Sequence, residues 1–255
     1  MTQGTLLRSA RAAFVFFTRI PVGGLPYTAD EWRWCSAHLP LVGAVVGVAA
    51  GLVSHVCLPA GNLAAAVLAV GVAMALTGAL HEDGLADTAD ALGGAFDRDG
   101  IFRILKDSRI GTFGACAVVL SLVLRAALVV RLGGDATWML PLVGATARVG
   151  PVWQMALMPY VTPSGQSRSA AVAQARLPQA VVATGWALAI TSVLVSCRVL
   201  PLGRALALVG ATASAAVITA GIYRRRLGGV TGDFLGTTEQ VGELGALMVM
   251  AWGRS

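Results

Sequence analysis

Seven runs of about 20 largely apolar residues decide most of what this chain can become. They lie at 39–58, 62–80, 111–130, 137–159, 179–197, 205–222 and 235–252. At 1.5 Å per residue, such a helix crosses the ~30 Å hydrocarbon core of a bilayer. None of the runs alternates with period two as barrel strands do, and an unpaired backbone amide in lipid is costly. The expectation is an all-α, polytopic integral membrane helical bundle of about seven transmembrane helices. It forms a single domain over 1–255, with a cytoplasmic acidic segment at 81–110. The last run carries Glu239 and Glu243 and fits a full crossing less well than the other six.

Only 13% of the residues are charged, about half the share in soluble chains. The 31 glycines suit close helix approach in lipid. The net charge of +6 sits mainly between the apolar runs, which argues for membrane orientation and against nucleic acid. Cys35, Cys57, Cys116 and Cys197 are scattered, without the spacing of a zinc site or a disulfide framework. Residues Ala12 to Phe17 are too short an apolar run, and lack the cleavage site, for a signal peptide.

Connections alternate in charge. The N-terminal segment and 81–110, 160–178 and 223–234 are rich in basic residues, including Arg168, Arg176 and Arg224-Arg225-Arg226. The connections at 59–61, 131–136 and 198–204 are poor in them. The positive-inside rule then puts the N-terminus and the first set in the cytoplasm. Seven crossings would leave the C-terminus outside, whereas a hairpin last element would return Arg254 to the cytoplasm.

Seven of the 13 acidic residues fall between Glu82 and Asp107. Asp83, Asp87 and Asp90 are spaced i, i+4, i+7, within an arc of roughly 60° on a helix. Like charges crowded at a membrane edge need something to offset them, and a divalent cation such as Mg²⁺ takes hard oxygen ligands and shares them with phosphates. The bland alternative is a solvated amphipathic connector. His81 fits a structural role as well as a catalytic one, and Asp97 and Asp99 suit a solvated turn.

Lys106 and Arg109, i and i+3, can reach one anionic group, with Ser108 and Thr112 adding hydroxyls. Gly111 and Gly114 allow close backbone approach, at a new helix N-terminus that favours anions. Ordinary interfacial anchoring is the alternative. Carboxylates and cationic donors in one segment together suggest phosphoryl chemistry. Arg148 and Glu243 lie deep in apolar runs, where an ionisable side chain is expensive and is expected to face inward and be paired. Arg125 lies nearer the end of its run, within reach of the interface by snorkelling. Leu227 to Gly236 combines four glycines with Asp233 at the mouth of a helix, as a ligand-binding loop or a simple flexible connector would.

These motifs resemble those of cobalamin synthases, the adenosylcobinamide-GDP ribazoletransferases. The resemblance rests on Phe16-Phe17-Thr18-Arg19-Ile20-Pro21, Pro40 to Gly43, Asp83 to Asp90, Lys106 to Thr112 and Arg148. It extends to Gly229 through Gly236, with Gln240 and Glu243. The pieces occur in the family's order over nearly the whole chain. Glu82 departs from the apolar residue usual in the family at that place, and Glu239 matches no family feature. The resemblance implies a Mg²⁺-dependent transferase. A hydroxyl of α-ribazole, or of its 5′-phosphate, attacks the cobinamide-linked phosphate of adenosylcobinamide-GDP, and GMP leaves.

On that basis Asp83, Asp87 and Asp90 are expected to hold Mg²⁺, with Asp233 a further ligand or the general base. Lys106, Ser108 and Arg109 are assigned to the diphosphate, and Asp107, Arg148 and Glu243 to organising the site. The active site would face the cytoplasm. Membrane lipid, other corrinoid-assembly enzymes and a second copy of the chain are the candidate partners beyond the substrates. Two other classes share part of the pattern: lipid phosphotransferases using nucleotide-diphosphate alcohols, and ion-coupled transporters. Transporters usually gather their ionisable groups near the midplane and show internal repeats, and neither feature is evident here.

Overall fold

A computed structural model describes residues 3–162 and 172–254. Arg168 of the basic connection at 160–178 falls outside the described residues. Twelve α-helices follow one another among the described residues: α1 Gln3–Phe17, α2 Ala29–Cys35, α3 Leu39–Cys57, α4 Asn62–Thr77, α5 Leu80–Gly94 and α6 Arg98–Ile104. Then come α7 Thr112–Leu132, α8 Ala136–Ala147, α9 Val149–Leu157, α10 Leu177–Ser196, α11 Leu202–Arg226 and α12 Gly232–Ala251. The expected all-α membrane bundle is therefore what forms.

Four segments are long and apolar enough to cross a membrane: Ala29–Ala60, Thr112–Leu157, Leu177–Ser196 and Leu202–Arg226. A fifth results if α4 and α5, bent by 89°, form one broken span. This falls short of the seven separate crossings expected. The two apolar runs at 111–130 and 137–159 merge into one segment of 46 residues, about twice a single crossing, interrupted by a short turn at Gly133–Asp135. Helix α12 carries Asp233, Glu239 and Glu243 and is mostly buried among its neighbours.

Small residues set how closely the helices approach. Gly43, Gly47 and Gly51 recur every four residues along one face of α3. That face lies on the α8 backbone: a Cβ at Gly43 would strike the Gly144 carbonyl, and one at Gly47 the Leu140 carbonyl. In lipid, such backbone-to-backbone contact replaces the hydrophobic driving force that water would supply. Gly43→Val is expected to force α3 and α8 apart, costing about 1–3 kcal/mol as overpacking does. A lowered detergent unfolding temperature relative to Gly71→Val checks this, since Gly71 meets open space.

Two breaks in the helices place the polar groups. At Gly78 and Ala79 the backbone turns left-handed (φ 65° and 57°), ending α4 and sending α5 off at 89°. α5 is therefore a separate acidic element turned away from the α4 axis. The second break is at Arg148 (ψ −4°), between α8 and α9. Pro151 follows three residues later and offers no amide to continue the ladder.

The charge-poor connections gather at one end of the bundle. Asn62, Arg131 and Arg254 border one depression there, and Arg204 donates to the Met250 carbonyl. At the opposite end Arg226 donates to the carbonyls of Leu92 and Ala95, capping α5.

Candidate functional site

Helices α5 and α12 meet where glycine permits it. A Cβ at Gly84 would lie 2.9 Å from the Asp233 carbonyl oxygen, and Gly236 faces the His81 backbone. Thr237 Oγ1 donates to the Gly84 carbonyl at 2.9 Å. The loop before α12 is pinned by main-chain bonds between Val230 and residues 159–161, and Thr231 caps the helix through the Phe234 amide. This packing brings the backbone of Asp233 against the turn that carries Asp83 and Asp87.

Asp83 and Asp233 share the wall of a cavity of about 410 Å³, within the range of small-molecule sites. His81, Arg148 and Glu239 border it as well, and Phe16, Phe17 and Trp32 supply an aromatic side. Asp87 stands one turn along α5. Burial pushes its carboxyl up to about 7, reinforced by the charges of Asp83, Asp233 and Asp90. Burial also raises Asp233, with Asp83 adding to the shift. No ion pair of Asp83, Asp87 or Asp233 occurs among the described residues, so the cluster carries uncompensated negative charge.

That donor set fits Mg²⁺. Among the described residues no three His, Cys, Asp or Glu side chains converge closely enough to hold a metal by themselves. Mg²⁺ rarely needs that, because it is held by one or two carboxylates while water and substrate phosphates complete its shell.

Asp90 is used differently from its two neighbours. Its carboxylate accepts from the Gly111 amide at 2.6 Å and the Gly114 amide at 2.8 Å. A Cβ at either glycine would collide with it. The two glycines thus admit an internal carboxylate to the start of α7, where close approach by a substrate phosphate was expected. That carboxylate also occupies the amides on which the anion-site reading relied.

Lys106, Ser108 and Arg109 are exposed and do not border the cavity. Arg109 turns to Asp107, with Nη2 donating to Oδ2 at 2.6 Å. Those hydrogen bonds hold the Asp107 carboxyl down to about 2.

Beneath the cavity lies a buried charge network that the sequence reading placed only in part. Arg148 Nη1 stands 2.9 Å from Glu239 Oε1, and Glu239 Oε2 lies 3.6 Å from His81 Nδ1. Arg125 Nη1 meets Glu82 Oε1 at 2.6 Å, and its Nη2 meets Glu243 Oε1 at 3.0 Å. Arg125 therefore does not snorkel: only 3% of its side chain is exposed, because α7 turns it between α5 and α12. Glu82 is likewise buried, not solvent-facing. Glu239, which matches no family feature, is the partner of Arg148, and Glu243 belongs to Arg125. The overlooked signal is the Glu239, Gln240, Glu243 spacing, which puts three polar groups near one another on an inward helix.

Fold and site define a polytopic helical membrane protein with its carboxylates gathered at one end of the bundle. Comparison with known proteins makes this specific. The model of the family described as cobalamin-5-phosphate synthase matches residues 9–251, and the chain belongs to that family. A relative from Bradyrhizobium diazoefficiens, an adenosylcobinamide-GDP ribazoletransferase, is 40% identical over 98% of this chain and 95% of its own. Proteins of the same name from Leptothrix cholodnii (38%, over 96% and 97%) and Azorhizobium caulinodans (35%, over 97% of each) are also similar. No solved structure matches the chain significantly.

Proposed function

We propose that this chain joins α-ribazole, or its 5′-phosphate, to adenosylcobinamide-GDP, releasing GMP and forming adenosylcobalamin or its 5′-phosphate. The observation that carries the reading is the cavity walled by Asp83 and Asp233, uncompensated carboxylates in a chain of this family. Asp83 and Asp87 would hold Mg²⁺, with water and substrate phosphates completing its shell. When bound, the ion would neutralise charge on the diphosphate oxygens as the transition state forms. Asp90 shapes the site by fixing α7 against α5.

In the proposed reaction a ribazole hydroxyl oxygen bonds to the cobinamide-linked phosphorus. The bond from that phosphorus to the bridging oxygen breaks, and GMP takes the electron pair. The hydroxyl proton passes to a carboxylate of the cluster, for which the buried, raised Asp233 is suited. Arg148 and Glu239 keep the cavity wall in place. Lys106, Ser108 and Arg109, outside the cavity, would meet the part of the donor that extends beyond it, Arg109 exchanging Asp107 for a phosphate. The arginine-rich connections support a cytoplasmic site in a bacterial inner membrane.

Purified protein in detergent, mixed with adenosylcobinamide-GDP, α-ribazole and Mg²⁺, is expected to yield GMP and adenosylcobalamin in equal amounts. EDTA should abolish both, and excess Mg²⁺ should restore them. No product from folded, lipid-supplemented protein would overturn the reading and direct attention to lipid phosphotransfer from CDP- and GDP-activated alcohols.

A further inference from the structure

The cavity contains a second arginine whose contacts differ from those of Arg148. Arg148 is committed to Glu239 and to the Gly144 carbonyl. Arg19 also borders the cavity, yet its side chain makes no hydrogen bond or ion pair among the described residues. Its backbone is firmly placed: the Arg19 amide donates to the Leu76 carbonyl at 2.6 Å. The guanidinium lies over Gly78, where a Cβ would collide with it. The left-handed turn that ends α4 therefore also leaves room for this cation.

A helix C-terminus attracts arginine in its own right, so that role has to be weighed. Here the carbonyls of Met74, Ala75 and Leu76 at the end of α4 already have other donors. The Gly78 amide takes the Ala75 carbonyl, the Ala79 amide takes that of Met74, and the main chain of Arg19 takes that of Leu76. Thr77 Oγ1 reaches the carbonyls of Ala73 and Met74. Arg19 is exposed, and its five donors have no protein partner among the described residues, beside a cavity in which Asp83 and Asp233 do not pair with it.

We infer that Arg19 binds a phosphate group of the substrate in the cavity it shares with Asp83 and Asp233. A phosphate with a divalent cation satisfies both kinds of charge at once, since the guanidinium fork matches phosphate oxygens while the carboxylates take the metal. The rings of Phe16, Phe17 and Trp32 border the same cavity, and a flat base beside a phosphate is what an aromatic wall next to an arginine suits. The ligand class is a nucleoside phosphate. This assignment rests on the function proposed above, within which two phosphates qualify: the diphosphate of the GDP-activated donor and the 5′-phosphate of the acceptor.

The test measures binding apart from turnover. The unfolding temperature of full-length wild type, Arg19→Ala and Arg19→Gln is followed against rising GDP and, separately, rising α-ribazole 5′-phosphate, each with Mg²⁺. Both variants should bind one of these ligands about tenfold or more weakly, and their unliganded unfolding temperatures should match wild type. Loss confined to GDP assigns the donor diphosphate, and loss confined to α-ribazole 5′-phosphate assigns the acceptor. Unchanged affinity for both in Arg19→Gln overturns the proposal, whatever the stability of Arg19→Ala. Wild type that binds a nucleoside phosphate through Arg19 but forms no cobalamin would refute the reaction and keep the subsite.

Discussion

Asp87→Asn lowers turnover by about 10²- to 10³-fold, the scale of removing a group that organises charge at a reacting centre, and raises the stability of the metal-free protein. Both effects follow from one arrangement. Burial and then the charges of Asp83, Asp233 and Asp90 push the Asp87 carboxyl up to about 7. A carboxyl raised in the folded state binds its proton more tightly there than in the unfolded chain. Stability is therefore lost as pH rises from the ordinary carboxylate range through about 7. Asparagine stays neutral and removes that loss. With EDTA present, the variant should unfold at a higher temperature than wild type at pH 8 and at nearly the same temperature at pH 4. GMP release with saturating Mg²⁺ measures the other half. Near-normal turnover would dismiss the metal role, and a variant less stable than wild type at pH 8 would dismiss the crowding argument.

How much of this was legible in the sequence depends on the range of the interaction. The i, i+4, i+7 spacing put Asp83, Asp87 and Asp90 on one face of one helix, and α5 forms over that segment. The glycine-rich loop marked Asp233 at a helix start, and α12 begins there. Both are local features of backbone geometry. The division of labour within the face was not local. Asp90 differs from Asp87 because Gly111 and Gly114 come to it across the α5–α7 contact, and no spacing within 83–90 encodes that.

Arg125 was misread for the same reason. Its depth along α7 was visible, but its partner Glu82 lies 43 residues away. Only the helix packing shows that the interior, and not the interface, is where its charge is met. The high glycine content signalled close packing but named no partner. Residues 40–51 pack on α8 because α8 presents Gly144 and the Leu140 backbone there.

Arg125→Met should cost about 3–5 kcal/mol, the range for breaking one side of a buried ion pair, and is the largest stability effect expected outside the site. Glu82 is 6% and Glu243 13% exposed at the side chain, so neither can recover water when the guanidinium goes. Helices α5 and α12 would then repel one another at the very contact that sets Asp83 and Asp87 beside Asp233. Neutralising all three residues, with Arg125→Met, Glu82→Gln and Glu243→Gln together, removes the orphaned charge and should restore most of the stability. Activity separates the two reasons such a network can exist. If it only stabilises the bundle, the triple variant recovers turnover along with its unfolding temperature. If it sets the register of α5 against α12, stability returns but turnover stays low, since an error of about 1 Å in a reacting centre can cost 10²-fold. The second outcome is the one expected, because the network joins the two helices that carry the carboxylates through Arg125 of α7. A single variant as stable as wild type would show that Arg125 does not carry the load its burial implies.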